Sequence, residues 1–229
     1  MCRTGESALE IRIRRLEADR RTIRRYCTTP DRFGRPPPSA LGLPTPGLSF
    51  STDLKILSAC RLIIVTVPTP IDDHENPDLT PLVKASQMIG RHVAPGSTVV
   101  YESSAYPGCT EEDCLPLIAQ ESGLTWKMDF FAGYSPERIN PGDKEHTIET
   151  IRKVVSGDGP ETAALVIQIY GSVISPGIFV AESIATAEAA KAIENTQRDL
   201  NIALMNELSL IFDRMGLNIL AVLEAAGTK

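Results

Sequence analysis

The spacing of hydrophobic positions changes character at about residue 51. Before it, apolar residues are sparse: between Ile11 and Tyr26 only Ile13, Leu16 and Ile23 suggest a helical face, which predicts one short helix there. From Pro30 to Pro46 the chain holds six of its 17 prolines, including Pro36-Pro37-Pro38. Neither a helix nor a central strand survives that composition, because proline lacks the N–H that either needs. Residues 1–50 therefore offer little apolar surface to offset chain entropy and are expected to be poorly ordered.

Beyond Ser51 the pattern alternates between short apolar runs and longer periodic stretches. Residues 61–67 (Arg-Leu-Ile-Ile-Val-Thr-Val) form a β-branched run suited to a strand buried on both faces of a parallel sheet. The run stops at Pro68-Thr69-Pro70. Thr80-Pro81 predicts a helix start, with Thr80 as cap, continuing to about His92. Further strands are expected at Ser97–Tyr101, Asp129–Ala132, Val154-Val155 and Gly177–Val180. Between them, Thr110 is expected to cap one helix, with Glu111, Glu112 and Asp113 at its positive end, and Pro160–Tyr170 to form another. Ser183 to Met215 contains neither proline nor glycine and predicts one long helix ended by Gly216, followed by a second from about Asn218 to Ala226. Strands and helices in alternation, then a long helix, indicate an α/β chain. The expected fold is an incomplete Rossmann-like parallel-sheet domain over residues 51–182, with the long helix and the start of a helical dimerisation domain over 183–229.

Charge and composition narrow the function classes. The net charge of −6 is unevenly distributed, since residues 1–38 carry ten arginines, no lysine and five acidic residues. Acidic residues interrupt this arm and no nucleic-acid motif follows it, so an atypical terminus is favoured over a nucleic-acid-binding one. The longest apolar run, Leu62 to Val67, is far short of the ~20 residues of a membrane helix. The first thirty residues lack a signal-type apolar core, and a cytoplasmic protein without membrane contact is expected. Five cysteines without a CxxC pair fit neither a disulfide framework nor a zinc site, and are expected to be buried, inert thiols.

Ligands of open parallel sheets bind beyond the carboxyl ends of the strands. Three polar segments fall there: Pro68-Thr69-Pro70, Glu102-Ser103-Ser104 and Ser135-Pro136-Glu137. Taken singly each is a turn or a cap; following successive strands, they point to a site. On the long helix, Lys191 and Asn195 are spaced i,i+4 and share a face, with Glu188 and Arg198 near the same stripe. A lysine beside an amide is suited to stabilising an oxyanion, and is equally compatible with a solvated helix face.

Four motifs occurring in order add a resemblance. They are Val65-Thr-Val-Pro-Thr-Pro70; Glu102-Ser-Ser104 with Tyr106-Pro-Gly108; Tyr134-Ser-Pro-Glu-Arg-Ile-Asn-Pro-Gly-Asp143; and Ala187-Glu-Ala-Ala-Lys-Ala-Ile-Glu-Asn195. Together they resemble the UDP-glucose/GDP-mannose dehydrogenase family, over about four-fifths of the chain from Ser51 to Lys229. The text around residues 135–143 and 195–201 looks most like the branch oxidising UDP-N-acetylhexosamines for bacterial surface polysaccharides. The resemblance implies NAD as cofactor, a UDP-sugar as substrate and two hydride transfers that take the sugar's C6 alcohol to a carboxylate through a cysteine thioester. It implies that Lys191 and Asn195 stabilise developing oxyanions, that Glu137 is an acid/base, and that Ser104, where relatives usually have threonine, orients water beside the nicotinamide. Val67, Pro68, Thr69, Pro70 and Ser104 would border NAD. Glu137, Arg138, Ile139, Asn140 and Pro141 would border the substrate, together with Lys191 and Asn195. A homodimer through the long helix is also implied.

The sequence departs from that family in places. No G-x-G-x-x-G occurs for the pyrophosphate, and neither Cys109 nor Cys114 matches the nucleophile's motif. The expectation is a fragment inactive on its own. Two alternatives stay open: a non-catalytic dimerisation partner of a full-length homologue, and a different NAD enzyme such as a hydroxyacid dehydrogenase. The choice among N-acetylglucosamine, N-acetylgalactosamine and glucose is not decided by these residues.

Overall fold

A computed structural model describes residues 11–13, 51–72, 74, 76–138 and 151–228. The elements are β1 (Ile11–Ile13), a 3₁₀ turn at Leu54–Ala59, β2 (Leu62–Val65), α1 (Thr80–Gly90), β3 (Thr98–Tyr101), a π-helical turn (Thr110–Cys114) running into α2 (Leu115–Ser122), β4 (Phe131–Tyr134), β5 (Lys153–Gly157), α3 (Pro160–Gly171), β6 (Ile178–Val180), α4 (Ile184–Arg214) and α5 (Ile219–Ala226). The six strands lie in the order β1-β2-β3-β4-β5-β6. The pairs β2–β3, β3–β4 and β5–β6 are parallel, whereas β1–β2 and β4–β5 are antiparallel. The sheet is thus mixed, although parallel pairs predominate.

Both faces of this sheet are covered, as the apolar run at residues 62–67 requires. On one side Ile63, Val65, Val99 and Tyr101 pack with Leu82, Ala85 and Ile89 of α1 and with Leu115 and Ile118 of α2. On the other, Leu62, Val100 and Val155 pack with Val166, Ile169 and Tyr170 of α3. Successive strand residues point to opposite faces, so each of β2 and β3 feeds both cores. The start of α4 belongs to the first core through Ile184 and Ala187. Gly157 marks the tightest approach in the sheet, because a Cβ there would come within 2.5 Å of the Ala163 nitrogen.

The chain divides into two compact units, residues 1–189 and 190–229, with the division inside α4. Within the second unit, α4 ends at Arg214, and Gly216 turns the chain with φ +72°, a conformation that a residue with a Cβ rarely adopts. Asn218 then caps α5 by accepting from the Leu220 N–H at 2.9 Å.

Several local expectations are corrected. Ile11–Ile13 is a strand, paired with β2 in the register Ile11 to Val65, instead of the start of a helix; the rest of the expected helix, and the proline-rich stretch, lie outside the described residues. α1 starts at Thr80, but the Thr80 N–H is met by the Asp78 carboxylate at 2.9 Å, so Thr80 is inside the helix and does not cap it. β4 begins two residues later than expected because Asp129 closes a turn with Thr125, accepting its N–H at 2.9 Å and donating back at 2.8 Å. Thr110 does not cap its own helix either; its partner is a distant carboxylate, described below.

Candidate functional site

The loops that follow β2, β3 and β4 are fastened to one another in sequence. The Ser103 hydroxyl donates to the Val67 carbonyl at 2.6 Å, and the Thr69 hydroxyl donates to the Ser104 carbonyl at 2.7 Å. The Tyr134 hydroxyl donates to the Ser103 carbonyl at 3.1 Å, and the Ser135 N–H to the Tyr101 carbonyl at 2.9 Å. Burial raises the Tyr134 hydroxyl well above its ordinary pKa, so it stays a neutral donor. These bonds convert three turns into one ledge. Val67 is buried beneath it, Thr69 is half-buried, and Pro68, Pro70 and Ser104 are exposed along its rim. All five residues expected to border a dinucleotide are therefore brought together. The rim is made of two exposed prolines, a threonine whose hydroxyl is already bonded, and an exposed serine.

Glu137 follows this ledge on a short segment that is pinned on both sides. Lys153, at the start of β5, donates from Nζ to the Pro136 carbonyl at 3.1 Å and pairs with Glu102 Oε1 at 3.4 Å. The Tyr170 hydroxyl of α3 donates to the same Glu102 oxygen at 2.7 Å. On the far side, Arg138 Nη1 donates to the Arg152 carbonyl at 3.2 Å, and the Ser135 hydroxyl reaches the Val154 carbonyl at 2.8 Å. Glu137 and Arg138 are half-buried. Ile139, Asn140 and Pro141, expected to border a substrate, lie outside the described residues.

Glu188 is the residue whose role the sequence concealed. Placed by its spacing near the stripe of Lys191 and Asn195, with a solvated face left open, it is fully buried (0% exposed). Its carboxylate accepts from the Gly108 N–H at 2.6 Å, the Thr110 N–H at 3.0 Å and the Thr110 hydroxyl at 2.6 Å. It thus serves as an N-terminal cap for the helical stretch beginning at Thr110, supplied from 78 residues away. Burial raises its pKa while these three donors pull it back down, and burial prevails. One signal was available: Glu188 is the charged residue in an otherwise small, apolar Ala187-Glu-Ala-Ala190 run.

Lys191 and Asn195 lie in the second unit, one helical turn apart on α4 as their spacing predicts; Lys191 is buried and Asn195 exposed. Cys60, Cys109 and Cys114 are buried and unlinked. The hydrogen bond to Cys114, reinforced by burial, raises the Cys109 thiol above its ordinary value, which disfavours a thiolate there. A cavity of about 440 Å³ opens where Gly157-Asp-Gly-Pro160 leaves β5, with Lys127, Val180 and Glu182 among its walls, and none of the expected site residues lines it.

Residues 43–174 match the model of the UDP-glucose/GDP-mannose dehydrogenase family, NAD binding domain, and residues 185–229 match its central domain. The chain belongs to the UDP-glucose/GDP-mannose dehydrogenase family. The NAD-binding-domain match covers β2 through α3, and the central-domain match begins one residue into α4. Among curated relatives, a UDP-N-acetyl-D-glucosamine 6-dehydrogenase of Pseudomonas aeruginosa is 62% identical over 182 residues, covering 80% of this chain and 43% of the relative. A protein of the same description from Salmonella typhi is 54% identical with the same coverage. Among solved structures, the UDP-D-ManNAc dehydrogenase of Pyrococcus horikoshii superposes with a TM-score of 0.73 at 31% identity, covering 83% of this chain and 44% of that one. The chain thus spans less than half the length of these nucleotide-sugar dehydrogenases. Its ledge of Val67 to Pro70 and Ser104 lies inside the NAD-binding-domain match.

Proposed function

We propose that this chain carries part of the active site of an NAD-dependent UDP-N-acetylhexosamine 6-dehydrogenase, serving bacterial surface-polysaccharide synthesis in the cytoplasm. The observation that carries the reading is the fastened ledge at the carboxyl ends of β2, β3 and β4, which brings Val67, Pro68, Thr69, Pro70 and Ser104 together. NAD, when bound, would supply the hydride acceptor, one NAD being reduced in each of the two transfers. Val67, Pro68, Thr69 and Pro70 border it, and Ser104 holds water beside its nicotinamide side. Glu137 takes up and returns the proton in the hydrolytic half-reaction. The Lys191 ammonium and the Asn195 amide, one turn apart on α4, stabilise negative charge as it develops on the substrate oxygen. Glu137 to Pro141 flank the UDP-sugar. High identity to the Pseudomonas and Salmonella enzymes supports N-acetylglucosamine as the sugar.

The test pairs the chain with the portions of the Pseudomonas aeruginosa relative that this chain does not span, and follows NADH formation from UDP-N-acetylglucosamine. Turnover that falls at least a hundredfold with Lys191→Ala and with Glu137→Gln is expected, in line with loss of an oxyanion donor or a general acid/base, each worth roughly 10²–10⁴ in rate. Turnover indifferent to both substitutions would refute the assignment. A second reading, a dimerisation partner without catalysis, is favoured by one feature: large apolar side chains of α4 and α5, such as Leu204 (52% exposed) and Leu220 (72%), are uncovered. Stable association with a full-length homologue and no NADH from any mixture would select it.

A further inference from the structure

We infer that Lys153, held by Glu102 and Tyr170, is a positioning residue that fixes the peptide plane on which Glu137 stands. The inference rests on the reading above only for what Glu137 does chemically. The Pro136 carbonyl and the Glu137 N–H belong to one planar amide, so gripping the carbonyl orients the Glu137 nitrogen and Cα together. The ring of Pro136 fixes its φ, so rotation about Pro136 ψ is the main freedom left to the plane, and it is this rotation that a bond to the carbonyl stops. Lys153 Nζ grips that carbonyl at 3.1 Å. The lysine in turn is fixed by Glu102 Oε1 at 3.4 Å and stands 5.2 Å from the Tyr170 ring centroid. The Tyr170 hydroxyl, at 2.7 Å from the same Glu102 oxygen, prevents the carboxylate from swinging away. One residue beyond Glu137, the Arg138 to Arg152 carbonyl bond closes the other side.

Energetics separate positioning from support of the fold. The Lys153 and Glu102 side chains are only 11% and 12% exposed. A buried ion pair of this kind is commonly replaced by apolar residues at little cost in stability, because desolvating both charges offsets most of their attraction. What an apolar pair does not reproduce is a charge-assisted bond to one chosen carbonyl, which fixes geometry where dispersion contacts tolerate sliding. The same cluster draws on three segments that meet under the ledge: Glu102 after β3, Lys153 opening β5, and Tyr170 in α3. It therefore ties the acid/base segment to the loop carrying Ser104.

The experiment measures backbone N–H order parameters by NMR on the whole chain, unmodified and as the double variant Glu102→Gln/Lys153→Met. That variant leaves no unpaired buried charge and keeps an acceptor for Tyr170. The Glu137 N–H is expected near 0.85 in the unmodified chain and below about 0.6 in the variant, with Val99, Val100 and Val155 unchanged near 0.85. The Glu137 side-chain carboxyl resonance should shift in parallel. A Glu137 order parameter that stays high in the variant overturns the inference, as does one already low in the unmodified chain. A drop shared by Val99, Val100 and Val155 overturns it too, by making the cluster a support of the sheet. Lys153→Arg, which keeps the charge and the donors, is a second variant, expected to retain the high Glu137 value; loss there counts against the inference. Should the complementation assay show no role for Glu137, the order parameters would still report whether Lys153 holds it.

Discussion

In the sheet unit, Leu62, Ile63, Val65, Val99, Val100 and Tyr101 are between 0% and 9% exposed; in the helical unit, Leu200, Ile202, Leu204, Leu210, Ile211, Met215, Leu217 and Leu220 are between 46% and 72% exposed. Both sets are large, apolar and regularly placed, yet only the first finds cover. The strands gain it from helices on both faces. α4 is 31 residues long, about 46 Å at ~1.5 Å per residue, and α5, with only eight residues, can cover little of it. The lesson is that apolar periodicity identifies an element, while the amount of apolar surface around it indicates how many neighbours the element needs. Among the described residues no helix is long and apolar enough to cross a membrane.

The largest effect should fall in the sheet. Ile63→Ala removes a fully buried side chain from the first core and is expected to lower unfolding stability by roughly 2–5 kcal/mol in chemical denaturation. A loss below about 1 kcal/mol would mean that β2 is less tightly enclosed than its burial indicates.

A smaller effect belongs to the buried carboxylate that joins α4 to the loop after β3. Glu188→Gln turns an amide N–H₂ towards at least one of the donors of Gly108 and Thr110, leaving it without an acceptor, at a cost of about 1–3 kcal/mol. The pH dependence carries a definite sign. Because burial raises the folded-state pKa of Glu188, the folded chain binds its proton more tightly than the unfolded chain does. Its contribution to stability is fully present below the unfolded pKa and is lost as pH rises through the folded value. The unmodified chain should therefore lose stability relative to the glutamine variant from the ordinary carboxylate range upward. A gap between the two that widens with pH would contradict this assignment.

How much could be read from the residues depends on distance along the chain. The apolar run at 62–67, the Pro160 helix start and the proline-free stretch from Ser183 all state their structure locally, and each formed within a residue or two of expectation. Ile11 and Ile13 were misread because two apolar residues suit a helix face or a two-residue strand period equally, and the deciding fact is pairing with Val65 and Ile63 across fifty residues of chain. Thr110 carries the side chain of a local cap, but a carboxylate from α4 takes that position. The ledge was legible as three polar turns after three strands. Its fastening was not, because bonds such as Thr69 to the Ser104 carbonyl join a common hydroxyl to a backbone atom, and neither leaves a mark in composition. The same holds for Lys153, an ordinary lysine in sequence that becomes informative only beside Glu102, Tyr170 and Pro136.

The smallest effect on folding should come from the uncovered helix, where it exposes the contrast most directly. Leu204→Ala and Leu210→Ala remove side chains already 52% and 60% exposed, so each should change unfolding stability by no more than about 0.5 kcal/mol in dilute solution. Their consequence lies in association. An apolar stretch of this size in water favours self-association, and we propose a second copy of the chain as its partner, with α4 as the contact. Sedimentation at micromolar concentration should show a dimer or larger species for the unmodified chain. Leu210→Glu should shift it towards monomer by placing an unpaired carboxylate where the copies meet, while leaving the denaturation midpoint of the sheet unit in place. A monomer in the unmodified chain, or an assembly indifferent to Leu210→Glu, would mean that the uncovered face of α4 is not what holds copies together, and the contrast between the two units would then concern solvation alone.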